Sequence, residues 1–190
     1  MKKLTALVLF LSAASLCAPA QDSAPGPLTR VVKDGVVISK EQPSVRVRVD
    51  KAFNYVGGQS FVLYGVANAE QHFFVDADKD GRIRRLYWLQ FEGYLPSNTH
   101  TYNYQSPRKV NVGGLEFISD SQARNITATP PRPDSDGARA HQFLRGKGYR
   151  IQGGDVLWQR LVHLTDASKR NELMVIYLED LGGTGLTAAD

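Results

Sequence analysis

The chain has 190 residues, with 23 lysines and arginines, 19 aspartates and glutamates, and one cysteine. This length is too short for an eight-stranded β/α barrel and fits one domain. A single cysteine excludes a disulfide-stabilised scaffold and a multi-cysteine zinc or iron–sulfur site. The composition, 42% hydrophobic and 22% charged, excludes a disordered chain.

The first twenty residues have the three-part pattern of a bacterial-type secretory signal peptide. Lys2 and Lys3 form a basic start, residues 4–16 form an apolar stretch, and Ala18-Pro19-Ala20 places small residues before a cleavage point. The apolar stretch is shorter than the ~20 residues that a membrane-spanning helix needs. The pattern predicts export to the periplasm or the medium after cleavage near Ala20, with a retained N-terminal anchor as the alternative.

Cleavage would remove Lys2, Lys3 and the single cysteine, Cys17. The mature chain would carry 21 basic and 19 acidic residues, a net charge of +2, with no basic run longer than two residues. We therefore predict no nucleic-acid partner and no transmembrane segment in the mature chain. Glycine-rich phosphate loops, nucleophile motifs and paired zinc-binding histidines are also missing from the sequence, which predicts no cofactor.

Strand patterns dominate the chain after residues 21–43, whose prolines and glycines indicate a flexible leader. Valines alternate with arginines over residues 44–50, which indicates a half-buried strand at a sheet edge. Further strands are predicted at residues 60–66, 71–77, 82–94, 156–165 and 172–179, with a weaker pattern at 115–119. Residues 44–182 would form one globular β-rich domain, followed by a tail at 183–190.

One helix is predicted at residues 138–147, capped by Asp134 or Ser135 and ended by Gly146 and Gly148. The regular spacing of the strands favours antiparallel pairing. The sequence therefore predicts an α+β, β-rich fold with one antiparallel sheet of five to seven strands and one or two helices. A barrel-like sheet and a two-layer sandwich are the alternatives.

The most informative segment is the hairpin over residues 72–94. Asp80-Gly81 predicts a two-residue type I′ turn. The numbers of paired residues would then sum to 161, which pairs Asp76 with Arg85 and aromatic residues with one another. Large apolar residues on both sides of residues 86–91 indicate a central strand covered on both faces.

Three aspartates and a glycine in this hairpin resemble the first positions of an EF-hand or dockerin-type calcium loop: Asp76, Asp78, Asp80 and Gly81. The resemblance covers eight residues and implies that the three carboxylates are a calcium candidate. Tyr87 stands where the loop needs its bidentate carboxylate, and Arg84 and Arg85 would repel a cation. We therefore predict an acidic turn paired to these two arginines, with no metal.

Residues 92–107 differ from their surroundings because tyrosines alternate with small polar residues and amides. Loops of this composition favour recognition, so the segment predicts a loop that contacts a ligand or partner. A packed surface loop or an edge strand is the alternative. The candidate ligand-binding residues are Glu92, Tyr94, His100, Tyr102, Tyr104 and, on the preceding strand, Trp88.

Polar side chains also interrupt the apolar strands: His72, Gln90, Glu92, Arg160, His163 and Glu179. The spacing of Trp158 and Arg160 puts an aromatic and a charged side chain on one sheet face, and Tyr177 and Glu179 repeat it. Converging faces of this kind would line a polar and aromatic pocket.

The leading hypothesis is an exported, non-catalytic domain that binds a small molecule, a glycan or an envelope protein through one sheet face and the tyrosine-rich loop. The alternative is a hydrolase-like enzyme with a carboxylate/histidine site on the sheet face. A pocket that holds Glu92 or Glu179 within hydrogen-bond reach of a histidine would favour the enzyme.

Overall fold

The computed structural model describes residues 26–151 and 154–190, so the predicted signal peptide lies outside the described residues. They form ten strands and one helix. The elements in chain order are β1 (Val31–Lys33), β2 (Val36–Ser39), β3 (Val45–Arg48), β4 (Asn54–Leu63), β5 (Ala67–Ala77), β6 (Ile83–Tyr94), β7 (Lys109–Val112), β8 (Leu115–Asn125), α1 (Asp136–Gly146), β9 (Asp155–Leu164) and β10 (Asn171–Asp180).

The strands form two antiparallel sheets. The larger has seven strands in the order β4-β5-β6-β10-β9-β8-β7, and the smaller has the order β1-β2-β3. This arrangement confirms the predicted β-rich α+β class, although the strands are more numerous than expected and divide between two sheets. In the described part of the chain the large sheet does not close into a barrel.

The large sheet is covered on both faces. On one face Phe73 and Trp88 pack with Leu144 of α1. On the opposite face Phe74 and Leu89 pack with residues of the small sheet. The predicted central strand with two covered faces is therefore confirmed, and below we call these the helix face and the small-sheet face.

The predicted register of the central hairpin is confirmed. Asp76 pairs with Arg85, and the residue numbers of every pair down to His72 and Leu89 also sum to 161. The turn itself is different. Ala77 pairs with Ile83 after an irregularity, and at the turn only Gly81 has a positive φ, of 76°.

The Asp78 side chain explains this longer turn. One of its carboxylate oxygens accepts hydrogen bonds from the backbone N–H groups of Asp80 and Arg82, both at 2.9 Å. These bonds stabilise a turn with one left-handed residue, which glycine occupies without strain. A two-residue type I′ turn occurs instead between β1 and β2, where Asp34 and Gly35 have φ values of 51° and 72°.

The first part of the chain therefore differs from the predicted flexible leader, because β1 and β2 lie within residues 21–43. Val36 and Val37 of β2 are buried, and Val37 packs with Phe74 and Leu89 of the large sheet. The short valine-rich runs beside Asp34-Gly35 carried a hairpin signal that the prolines and glycines nearby obscured.

Helix α1 begins as predicted at Ser135. Its hydroxyl oxygen accepts a hydrogen bond from the N–H of Ala138 at 3.1 Å, and its O–H donates to the carbonyl of Arg132 at 2.7 Å. The cap satisfies a backbone donor that the helix leaves free. α1 is neither long nor apolar enough to cross a bilayer, and no other helix occurs in the described ranges.

We expect Ser135→Ala to lower the free energy of unfolding by about 1 kcal/mol, because it removes the cap of α1. Urea unfolding followed by circular dichroism measures this change. Ser97→Ala, at an exposed loop position, serves as the control and is expected to leave stability unchanged. Equal midpoints for the two variants would contradict the capping role.

Candidate functional site

A series of hydrogen-bonded amide side chains, two of them fully buried, crosses the helix face of the large sheet. Gln59 donates to the side chain of Gln71 at 2.7 Å, Gln71 donates to Gln90 at 2.8 Å, and Gln90 donates to Glu92 at 2.5 Å. Gln59 and Gln71 also donate to backbone carbonyls of α1 at 3.1 and 3.2 Å. This series of hydrogen bonds thus joins the helix to the sheet and ends at the carboxylate of Glu92.

Two buried carboxylates lie opposite each other where this series of hydrogen bonds ends. Glu92 on β6 pairs directly with Glu172 on β10, and the two residues are 9% and 1% exposed. Tyr102 donates its hydroxyl to Glu92 at 2.9 Å, and Tyr104 donates to Glu172 at 2.7 Å. Burial raises the pKa of the Glu172 carboxyl to about 8, and burial also raises the pKa of Glu92. Glu172 is therefore mostly protonated at neutral pH.

The predicted recognition loop lies across these carboxylates. Tyr102 is buried, its ring stacks on Tyr94 at a centroid distance of 4.5 Å, and the Tyr94 ring lies 5.6 Å from that of His100. The structure therefore brings together five of the six predicted site residues, all except Trp88. The hydroxyls of Tyr102 and Tyr104 already satisfy buried groups of the protein, as in the packed-loop alternative, and their contact with a ligand stays a prediction.

Trp88 lies elsewhere, in a cleft between α1 and the large sheet. The cavity has a volume of about 270 Å³ and is lined by both tryptophans of the chain, Trp88 and Trp158, together with Arg124 and Arg160. Trp88 is only 6% exposed, and its indole Nε1 has no hydrogen-bond partner in the described part of the chain. A buried donor without an acceptor is unfavourable, and this donor belongs to a ring that lines the cleft.

Arginine and aromatic side chains alternate along the wall of this cleft. The guanidinium carbon of Arg124 lies 5.1 Å from the Trp158 ring, and that of Arg160 lies 5.4 Å from Trp158 and 5.0 Å from Tyr104. These distances are typical of cation–π contacts. The predicted convergence of Trp158 and Arg160 on one face is confirmed, whereas Tyr177 and Glu179 lie on the opposite face.

The cleft carries positive charge. Arg160 forms an ion pair with Asp120 at 2.6 Å, but Arg124 has no carboxylate within ion-pair distance among the described residues. Burial lowers the pKa of Arg124, yet a guanidinium remains charged at pH 7. His141 also lines the cleft, and burial together with the nearby Arg145 and Arg124 lowers the pKa of its imidazole.

A second cluster on the small-sheet face surrounds Glu70. Its carboxylate accepts hydrogen bonds from both the N–H and the hydroxyl of Thr29, from the N–H and guanidinium of Arg30, and from His72 at 2.9 Å. Burial would raise the pKa of Glu70, but these hydrogen bonds outweigh it and lower the pKa to about 2. Glu70 is therefore a fixed anion that anchors the first described residues to the sheet.

The carboxylate/histidine site of the enzyme hypothesis is not formed by the expected residues. Glu92 bonds to Gln90 and Tyr102, and Glu179 accepts a hydrogen bond from Tyr177 at 2.5 Å. Across residues 26–151 and 154–190, neither glutamate has a hydrogen bond to a histidine. Glu70 does bond to His72, but its carboxylate already accepts five hydrogen bonds and has a low pKa, which suits an anchor and not a proton donor.

The acidic turn has the predicted ion pairs. Asp76 accepts hydrogen bonds from Arg84 and from Arg85, the latter at 2.8 Å, and these bonds lower its pKa despite partial burial. The carboxylate of Asp78 accepts hydrogen bonds from the backbone N–H groups of Asp80 and Arg82. Within the described ranges, no group of three or more metal-binding side chains is arranged to hold an ion.

Glu70, Arg124 and Glu172 were not predicted as site residues. Glu70 was missed because β5 begins at Ala67, four residues before the predicted start. Glu172 occupied the end of a predicted strand, where a charge is ordinary. The signal that identifies it is the pairing of β10 with β6, which places it opposite Glu92.

Comparison of the chain with protein-family models, curated proteins and solved structures gives no match.

Proposed function

We propose that this protein is an exported, non-catalytic domain that binds a compact organic anionic group in the cleft between α1 and the large sheet. Export is supported by the sequence pattern of residues 1–20. The binding proposal rests on one observation, the indole N–H of Trp88, which has no hydrogen-bond partner in the described part of the chain. Trp88 lines the cleft together with Arg124, which forms no ion pair there with a described residue.

The chemistry of the cleft favours an anion that carries a planar apolar group. A carboxylate, sulfonate or phosphate accepts hydrogen bonds from an indole N–H and a guanidinium, and such charge-assisted bonds are among the stronger ones in proteins. The ring of Trp158 offers a surface for the apolar part of the ligand. A cavity of about 270 Å³ is near the lower end of the range for small-molecule sites, which indicates that the group bound inside it is compact.

Phenylacetate and its neutral amide, phenylacetamide, test the charge preference. Because both tryptophans line the cleft, a change in tryptophan emission reports on it directly, and calorimetry gives the affinity. We expect phenylacetate to bind more tightly than the amide. Arg124→Gln is expected to weaken phenylacetate binding about tenfold, since a charged hydrogen-bond donor is lost.

Trp88→Phe keeps the aromatic ring, removes the indole N–H, and is also expected to weaken phenylacetate binding. Arg46→Gln is the matched control, because Arg46 lies on β3 of the small sheet and is exposed. Equal affinity of Arg124→Gln and Arg46→Gln, or equal binding of acid and amide, would refute the proposed site.

A further inference from the structure

Strand β8 has an open edge next to the cleft. β8 contains eleven residues, but β7 pairs only with residues 115–118. The N–H of Ser119 donates to the carbonyl of Arg108 at 2.9 Å, and its carbonyl accepts the hydroxyl of Ser106 at 2.7 Å. Beyond Ser119 the described chain provides no strand on this side, and residues 121–123 are exposed.

The backbone groups at this edge are available for pairing. In an antiparallel ladder, every second residue directs its N–H and C=O to the same neighbour. Ser119 directs both groups away from β9, so Ser121 and Ala123 do the same. The intervening residues Asp120 and Gln122 then direct their N–H and C=O groups to β9, which lies in register with residues 118–125 on the other side. The edge therefore offers two consecutive sets of unpaired donors and acceptors to an extended segment.

Positive and aromatic side chains line the space beside this edge. An open cavity of about 620 Å³ is lined by Arg108, Arg124, Trp158 and Arg160, among others. Arg124, Trp158 and Arg160 also line the cleft, so the edge and the cleft form one continuous surface. Arg108 and Arg124 have no carboxylate within ion-pair distance among residues 26–151 and 154–190. An acidic ligand therefore complements this surface.

We propose that the anion bound by the cleft belongs to an extended acidic peptide segment of another protein, which pairs with β8 at residues 121–123. This inference rests on the proposed function and names its ligand class. Addition of a strand to an open edge supplies main-chain hydrogen bonds, and alternate side chains supply specificity. Because side chains of a strand alternate between faces, every second residue of the segment would face Trp158 and Arg124, and acidic side chains there would neutralise the arginine.

The probes are two capped, fluorescently labelled peptides of eight residues, one in which aspartate alternates with valine and one in which lysine replaces aspartate. Fluorescence anisotropy with the full chain measures binding. We expect the aspartate peptide to bind at least about tenfold more tightly than the lysine peptide, because the arginines attract one and repel the other.

Two variants at one exposed position test the edge. Ser121→Pro removes the outward N–H and is tolerated at an open edge, whereas Ser121→Ala keeps the N–H. We expect Ser121→Pro to lose at least about tenfold in affinity for the aspartate peptide and Ser121→Ala to bind like the parent chain. Circular dichroism establishes whether both variants fold.

Amide hydrogen exchange in the unaltered chain gives an independent measurement. The N–H groups of Ser121 and Ala123 should gain protection when the aspartate peptide is added. Failure of the aspartate peptide to bind, equal binding by folded Ser121→Pro and Ser121→Ala, or unchanged exchange would each overturn the inference. Phenylacetate binding that depends on Arg124, without peptide binding, would leave the proposed function intact and refute only the peptide.

Discussion

Glu172→Gln is expected to raise the melting temperature by about 8 °C at pH 8 and to change it much less at pH 5. Glu172 is 1% exposed and lies opposite Glu92, a second buried carboxylate. Glutamine has the shape of the protonated acid and still accepts the hydrogen bond from Tyr104. The variant therefore removes the cost of ionising a carboxylate in the interior.

The direction follows from the pKa of Glu172, which is 4.5 for an ordinary glutamate and about 8 in the folded protein. Between these values the folded state holds a proton that the unfolded state has released. Stability of the parent protein therefore falls as the pH rises through this window, by about 3 kcal/mol between pH 5 and pH 8. Glu172→Gln should remove this part of the pH dependence of the melting temperature, while the buried Glu92 carboxyl keeps its own smaller share.

Glu179→Gln is the matched control, because Glu179 lies on the same strand and also accepts a hydrogen bond from a tyrosine, Tyr177. It faces the opposite side of the sheet and is only partly buried. We expect Glu179→Gln to keep the pH dependence of the parent protein. The same pH dependence in Glu172→Gln would show that Glu172 is ionised at no unusual cost and would refute its raised pKa.

Glu70→Gln should lower the free energy of unfolding by about 3 kcal/mol at pH 7, because it removes the charge that five donors share. The substituted amide cannot accept all of these hydrogen bonds. The N–H groups of Thr29 and Arg30 would lose their partner, and their amide hydrogen exchange should become faster. Urea unfolding and hydrogen exchange measure the two effects.

The effect of Glu70→Gln should also depend on pH, in the direction opposite to that of Glu172→Gln. The folded-state pKa of Glu70, about 2, lies below its ordinary value of 4.5. The carboxylate therefore stabilises the fold above pH 4.5, and this contribution is lost as the pH falls towards 2. Glu41→Gln, at an exposed position near β2, is the control. A Glu70→Gln variant as stable as this control at pH 7 would contradict the anchoring role.

The clusters also change how the tyrosine-rich loop is understood. Composition indicated a recognition loop, but Tyr102 and Tyr104 use their hydroxyls to cover Glu92 and Glu172. Their replacement by alanine would expose two carboxylates, so a loss of ligand binding in such variants would not separate binding from folding. The cleft variants reduce this difficulty, because in the described chain the Nε atom of Arg124 and the indole N–H of Trp88 have no hydrogen-bond partner to lose.

The sequence by itself determined the features that depend on neighbouring residues. Strand-forming runs located at least part of every strand of the large sheet apart from β7, a capping residue at 134 or 135 located the start of α1, and the Asp80-Gly81 turn predicted the register of β5 against β6. These features follow from side-chain periodicity and local hydrogen bonds, which a short segment carries within itself.

Only the tertiary structure decided which distant strands are neighbours, and with them the sites. Glu92 meets Glu172 because β10 pairs with β6, and Arg124 lies beside Trp158 because β8 pairs with β9. The anchor of Thr29 on Glu70 spans 41 residues. Strand order in an antiparallel sheet depends on long-range pairing and on the packing of both faces, and no local pattern of residues specifies it.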